Sequence, residues 1–267
     1  MFLLAHEITV RLTVFLAMLA AMAAWEPAAP ARRAEVPRVI RWSNNLALVA
    51  IDTAVLRLVL PVLAVGAAVW AEGRGIGLMH LIALPGWLAI VLAVLALDLA
   101  IYGQHIVFHK VPVLWRLHRM HHADPIVDVT TGLRFHPVEI LVSMLLKMGL
   151  VVALGAPPVA VLVFEVILNG ASLFNHANIR LPPRVERLTR LFVITPDLHR
   201  IHHSEIRAET DSNYGFTVVW WDRLFRTFRA RPAKGDDVVV AGIGAFGSAR
   251  EQWLDRMLTQ PLRRPGA

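Results

Sequence analysis

Long apolar stretches alternate with short polar ones along most of this chain, and that alternation predicts membrane-spanning helices rather than a soluble globule. The first run, Leu12 to Trp25, follows a nearly neutral start (His6, Glu7, Arg11) and precedes a basic cluster of Arg32, Arg33, Arg38 and Arg41. A secretory leader would carry its positive charge ahead of the apolar run, so the run is expected to be a retained helix ending in the cytoplasm. The second run, Asn45 to Trp70, is broken only by Asp52 and Arg57. At roughly 1.5 Å per residue it is long enough to cross about 30 Å of hydrocarbon. The loop after it, AEGRGIG, carries one arginine and is expected on the outer side. A third span, Leu81 to Tyr102, returns inward. The fourth and fifth, near Val138 to Leu154 and Val159 to Phe174, are separated only by Gly155 to Pro158 and predict a tight helical hairpin that dips to the far side and back.

The expected architecture is therefore an all-α, polytopic membrane bundle of four to five membrane segments, including the short hairpin, with a cytosolic histidine-rich cap. No internal repeat or low-complexity linker divides it, so residues 1–267 are expected to form a single integral-membrane domain. LPPRVERLTRLF (Leu181 to Phe192) is a candidate interfacial helix, and the chain is expected to turn soluble from about Asn213, with a cytosolic tail over residues 229–267.

Composition agrees with a membrane protein. Hydrophobic residues make up 56% of the 267, and the mean hydropathy is +0.55. The formal charge of +7 would raise nucleic acid as a partner in a soluble protein, but the basic residues flank apolar segments, where they set topology, and no basic run is interleaved with aromatics. No nucleic-acid partner is expected. The absence of cysteine excludes disulfides, thiolate zinc sites and cysteine-ligated iron–sulfur centres. Any metal must be held by nitrogen and oxygen.

Candidate chemistry lies in the histidines. They fall as H-x-x-x-H (His105, His109), H-x-x-H-H (His118, His121, His122) and H-x-x-H-H again (His199, His202, His203), each cluster attached to the same end of the predicted bundle. On a helix, residues three and four apart project from one face within about 6 Å of each other, so each cluster is expected to form one multidentate patch. Neutral imidazole suits zinc, copper, iron or nickel, and eight rings exceed what one tetrahedral zinc uses, which points to two metals. His176, just beyond the fifth span, is a candidate ninth ligand, with Asn175 and Asn178 close by.

Asp98, Tyr102, His105 and His109 share one stripe of the third helix. A carboxylate inside an apolar span needs a partner, and for Asp98 the expected one is the ring N–H of a metal-bound histidine, whose orientation it would fix. His136 stands between a metal role and a structural network with Arg134 and Glu139.

These residues resemble the fatty acid hydroxylase and sterol desaturase superfamily of membrane di-iron oxygenases. The resemblance rests on Asp98-x3-Tyr102-x2-His105-x3-His109, His118-x2-His121-His122, TTGLRFHPVE (Thr130 to Glu139), NHANIRLP (Asn175 to Pro182), HRIHHS (His199 to Ser204), DSNYG and WDRLFRTF. It covers residues 98–228, which would form the di-iron hydroxylase core. The resemblance implies two irons held by the eight clustered histidines, with His176 matching a further histidine that many members carry. Some members have two histidines there, where this chain has Asn175 and His176.

The chemistry so implied is O2 activation for hydroxylation of an unactivated C–H bond in a lipid or isoprenoid, with a desaturase or ether-lipid monooxygenase as alternatives on the same metals. Electrons must then come from a separate reductase and small carrier, because the chain holds no haem motif, flavin fingerprint or cysteine cluster. A metal transporter would spread its ligands across membrane depth, and a membrane metallohydrolase would want carboxylate ligands and H-E-x-x-H, which is absent. The Ala- and Arg-rich composition suggests a bacterial inner-membrane protein with its site on the cytoplasmic face.

Overall fold

The computed structural model describes residues 2–33, 36–235 and 239–264. A short α1 (Phe2–Ala5) leads into α2 (Glu7–Ala28), α3 (Arg38–Val59), α4 (Ala64–Glu72), α5 (Gly86–Lys110) and α6 (Pro112–His122). The hairpin α7 (Pro137–Leu154) and α8 (Pro158–His176) follows, and then five short helices: α9 (Pro183–Thr189), α10 (Pro196–His202), α11 (Arg207–Thr210), α12 (Trp220–Leu224) and α13 (Leu254–Thr259). No strand occurs among the described residues, only isolated bridges.

Local chemistry sets these boundaries. Proline occupies the first turn of α6, α7, α8, α9 and α10, where its missing N–H has no helical partner to lose. The His136 Nδ1 accepts from Val138 N at 3.2 Å, and the Thr195 hydroxyl accepts from Leu198 N at 3.4 Å, capping α7 and α10. Gly155, at φ 63°, ends α7 in the left-handed conformation that reverses the chain into α8.

Five segments are long and apolar enough to cross a membrane: Glu7–Ala28, Arg38–Glu72, Gly86–Lys110, Pro137–Leu154 and Pro158–His176. The protein is an integral membrane protein. The hairpin forms as expected, and α8 is its central post, packing on α2, α4, α5 and α10. Around the hairpin turn Ala64, Ala68, Ala93, Ala156 and Ala160 are fully buried, letting backbones approach where larger side chains would hold them apart.

Two spans differ from their expected limits. The second is a pair of helices, because Pro61 breaks the ladder between Val59 and Ala64. The third starts at Gly86 rather than Leu81, since Leu78–Leu81 forms a 3-10 turn ahead of Pro85, and it runs past Tyr102 to Lys110. One continuous helix therefore carries Asp98, Tyr102, His105 and His109.

At the opposite end from Gly155 a layer of short helices and loops covers the bundle. The arginine-rich loop belongs to this end: Pro30 bridges Ile179, and Arg32 N donates to Asn178 Oδ1 at 2.9 Å. Glu26, near the end of α2, accepts from Val129 N at 2.7 Å and Asn178 N at 3.0 Å. Residues from Asn213 onward pack back onto the helical bundle. Asp222 accepts from Tyr214 N and Gly215 N at 2.8 and 2.9 Å, closing a compact loop against α5. Met257 of α13 is buried with Leu48 and Met120.

Arg41 is not a free topological charge. It is fully buried, donating to Asp124 through Nε at 2.7 Å and Nη2 at 3.0 Å, and to Asp128 through Nη1 at 2.7 Å. Removing one member of such a network leaves the others charged and unpaired, at a cost of ~3–5 kcal/mol. Arg41→Ala is thus expected to lower the thermal midpoint of the detergent-solubilised protein by many degrees. Arg250→Ala, breaking the exposed pair with Asp255, should leave that midpoint unmoved.

Candidate metal centre

Four chain segments converge beneath the cap. His105 and His109 come from α5, His118, His121 and His122 from α6, His176 from the last turn of α8, and His199, His202 and His203 from α10 and its end. All nine are at most 3% exposed. They sort into two groups: His105, His109, His118, His122 and His202, and His121, His176, His199 and His203, with the ligand atoms of each group within 4.8 Å of one another.

The division cuts across the sequence clusters. Each H-x-x-H-H was expected to make one patch, yet His118 and His122 join the first group while His121 joins the second, and His199 and His203 join the second while His202 joins the first. The i and i+4 rings stand above one another, and the third ring of each cluster is rotated away, so each short helix serves both groups. His122 and His203, one from each group, stack with ring centroids 4.4 Å apart.

Protons decide what these rings can do. His105 Nδ1 donates to the Tyr214 carbonyl, His202 Nδ1 to the Ser212 carbonyl and His176 Nδ1 to the Ser172 carbonyl, each at 2.7 Å. His118 Nδ1 donates to Glu139 Oε1 at 2.7 Å. With its single proton committed to Nδ1, each neutral ring has only a lone pair at Nε2. Yet His105 Nε2 lies 3.1 Å from both His118 Nε2 and His202 Nε2. Three lone pairs at that separation repel unless a cation lies among them. In the second group His176 Nε2 lies 3.1 Å from His121 Nε2 and 2.9 Å from His199 Nε2. Both ring nitrogens of His109, His122 and His203, and Nδ1 of His121 and His199, are buried without a hydrogen-bond partner. Orphaned buried nitrogens on this scale fit a metal-binding pair of sites, each wholly of imidazole.

Neighbours hold the rings in place. Phe135 stacks on His121 at 4.6 Å and 11°, and Trp115 lies 5.0 Å from His109 and 5.4 Å from His122. Gly132 permits the closest approach: a Cβ there would stand 2.8 Å from the Ser172 carbonyl and 3.2 Å from His176 Nδ1.

The other expected residues separate into those that touch the centre and those that do not. Glu139 touches it, through His118. Asn175 Nδ2 donates to the Phe216 carbonyl at 2.9 Å, and Asn178 ties down the Arg32 loop instead. Asp98 takes the indole N–H of Trp221 at 2.8 Å rather than a histidine N–H, the indole reaching it from α12. Tyr102 is hydrogen-bonded to Thr227 at 2.8 Å. No hydrogen bond joins Arg134, His136 and Glu139. Arg134 reaches Met120 O and Gln252, and His136 donates from Nε2 to Leu258 O at 3.1 Å while capping α7, outside both histidine groups. The sequence marks Ser212 and Tyr214 only as part of DSNYG and does not mark Ser172, yet the backbone carbonyls of all three fix rings. A carbonyl leaves no mark in a residue pattern.

Beside the first group a cavity of about 430 Å³ opens between α2, α3, α5, α7 and α8. His105, His118, Phe135 and Glu139 form part of its wall, and Leu56, Leu63, Ile101, Ile140, Met144 and Leu168 line it further along.

A sequence model of the fatty acid hydroxylase family matches residues 90–227. The chain is 33% identical over 179 residues to the ornithine lipid hydroxylase OlsE of Rhizobium tropici, covering 66% of this chain and 51% of that one. It is 31% identical over 147 residues to the alkylglycerol monooxygenase of Homo sapiens, covering 53% and 31% respectively, and 26% identical over 145 residues to the cholesterol 25-hydroxylase of Rattus norvegicus, covering 54% and 47%. The chain thus spans about half the length of the first of these relatives and less of the others. No solved structure matches.

Burial also sets the protonation of the cap histidines. It holds His118 down to about 3, and holds His121, His122, His199, His202 and His203 well below their ordinary 6.5, with neighbouring imidazoles adding to the effect. The folded metal-free chain therefore keeps these rings neutral where the unfolded chain takes up protons. Stability is present above 6.5 and falls as pH drops below it. The metal-free protein is expected to melt at a distinctly lower temperature at about pH 5 than at about pH 8. Equal midpoints would mean that these rings are protonated in the fold.

Proposed function

The chain belongs to the fatty acid hydroxylase family, and from that premise we propose that it is an O2-dependent membrane monooxygenase. In this proposal it holds two irons and hydroxylates an unactivated C–H bond of a lipid or isoprenoid drawn from the bilayer. The observation that carries the proposal is the pair of buried all-imidazole groups whose lone pairs converge beside a largely apolar cavity. In this assignment one iron takes ligands from His105, His109, His118, His122 and His202, and the other from His121, His176, His199 and His203. Two irons there would supply O2 activation: one oxygen atom enters the substrate and the other leaves as water, consuming two electrons and two protons.

The protein's own residues bind, orient and exclude water. Tyr214, Ser212, Ser172 and Glu139 keep the four ring protons on Nδ1, so that Nε2 is always free to ligate. The burial of all nine rings keeps solvent from a reactive centre. The cavity runs along the membrane helices, so a lipid chain can enter without crossing water. Electrons are assigned to an external reductase and carrier, since the sequence carries no haem motif, flavin fingerprint or cysteine cluster. The histidine end shares its face with the arginine-rich loop, which favours the cytoplasmic side of a bacterial inner membrane. An alkylglycerol is a second substrate class to test, favoured by the likeness to alkylglycerol monooxygenases.

Purified protein reconstituted with iron is expected to bind two irons per chain and to incorporate one atom of labelled O2 into a lipid product. One zinc, or no tightly held metal, would sink the proposal. His121→Ala should abolish oxygenation and lower the iron content while the protein still inserts in the membrane. Retained activity would remove His121 from the ligand set.

A further inference from the structure

The cavity beside the five-histidine group contains two carboxylates whose bonding is incomplete. Asp52, on α3 within the membrane, is 7% exposed, and its Oδ1 has no hydrogen-bond partner. Glu139, on α7, is 4% exposed. Its Oε1 holds His118 Nδ1, and its Oε2 has no partner. Both line the cavity.

The cations that share the cavity are committed elsewhere or exposed. Lys147 donates to Glu165 at 2.6 Å, Arg11 is held by Glu165 and Glu7, and Arg57 lies exposed one and a half turns beyond Asp52. No ion pair between Asp52 or Glu139 and a lysine or arginine occurs among the described residues. Unpaired acids in a membrane span are costly to keep, and where they persist they face the bundle interior or a cavity and mark a substrate or ion path. The complement to two carboxylate oxygens, with no cation of the protein's own, is a group that carries positive charge and several N–H donors.

We propose that Asp52, assisted by Glu139 Oε2, binds the primary ammonium of an amino-bearing lipid and so anchors its polar head in the cavity beside His105 and His118. Glu139 touches His118 directly, so a head held there lies against the five-histidine wall, and the carbons next to its nitrogen face that group. The apolar tail follows the cavity past Ile101, Met144 and Leu168. The oxygenase proposal gives this placement its meaning, and the anchor rests on it to that extent.

The test is calorimetric binding of octylamine, octanol and octanoate to the full chain in zwitterionic nanodiscs, with and without iron, with empty nanodiscs subtracted. Wild type is expected to bind octylamine more tightly than octanol or octanoate, and Asp52→Asn to weaken octylamine about tenfold while leaving octanol unchanged. Because the variant removes an unpaired acid, its thermal midpoint is expected to hold or rise. Equal octylamine affinity in both proteins, tighter binding of octanoate, or a lowered midpoint showing the carboxylate to be held within the fold would each overturn the proposal. Binding is read apart from turnover. If octylamine depends on Asp52 but iron-loaded protein oxygenates no lipid, the oxygenase proposal fails and the anchor stands. If lipid is oxygenated and Asp52→Asn binds octylamine as wild type does, the anchor fails alone.

Discussion

A neutral imidazole has one proton and one free lone pair, and the rest of this structure depends on where that proton is sent. Four rings send it outward, to three backbone carbonyls and one carboxylate. The carbonyls belong to a tight loop at 211–215 and to the last turns of α8, and the carboxylate to the first turn of α7. Those elements must be held still for the inner nitrogens to converge. Asp222 closes the loop, Gly132 lets a neighbouring backbone come close enough to His176, and proline with a histidine cap fixes the start of α7. Much of the cap is a device for directing protons away from the centre.

The membrane imposes the second constraint. Charged groups within the spans are satisfied internally: Glu165 by Lys147 and Arg11, Glu26 by two backbone amides and Arg38, Arg41 by two aspartates. Each of these ties a span to a different part of the chain, so the polar groups that hydrocarbon penalises become the clamps that fix the helices relative to the cap. Asp52 and the free oxygen of Glu139 stand out against that pattern.

Much of this was legible in the sequence because it is local. Apolar runs mark the spans, Gly155 to Pro158 marks the hairpin, and histidines three and four apart on short helices announce multidentate faces. What was not legible depends on rotation and depth. Whether the third ring of an H-x-x-H-H joins its neighbours or the adjoining group follows from where two helices cross, and so each cluster turned out to serve both groups. Asp98 could be recognised as needing a donor, but Trp221, which supplies it, lies more than a hundred residues later in the chain. His136, which the residue pattern left between a metal role and a structural one, spends its nitrogens on a helix cap and on the backbone of α13.

The carbonyl of Tyr214 has a consequence for how the molecule comes to exist. It is the acceptor that orients His105, and it takes its position only when Asp222, still later in the chain, has been made and has folded back. The spans are complete long before that point. Synthesis therefore delivers the spans before the loop that orients His105 can close, and the later segment that carries Asp222 acts as the keystone of the imidazole cluster.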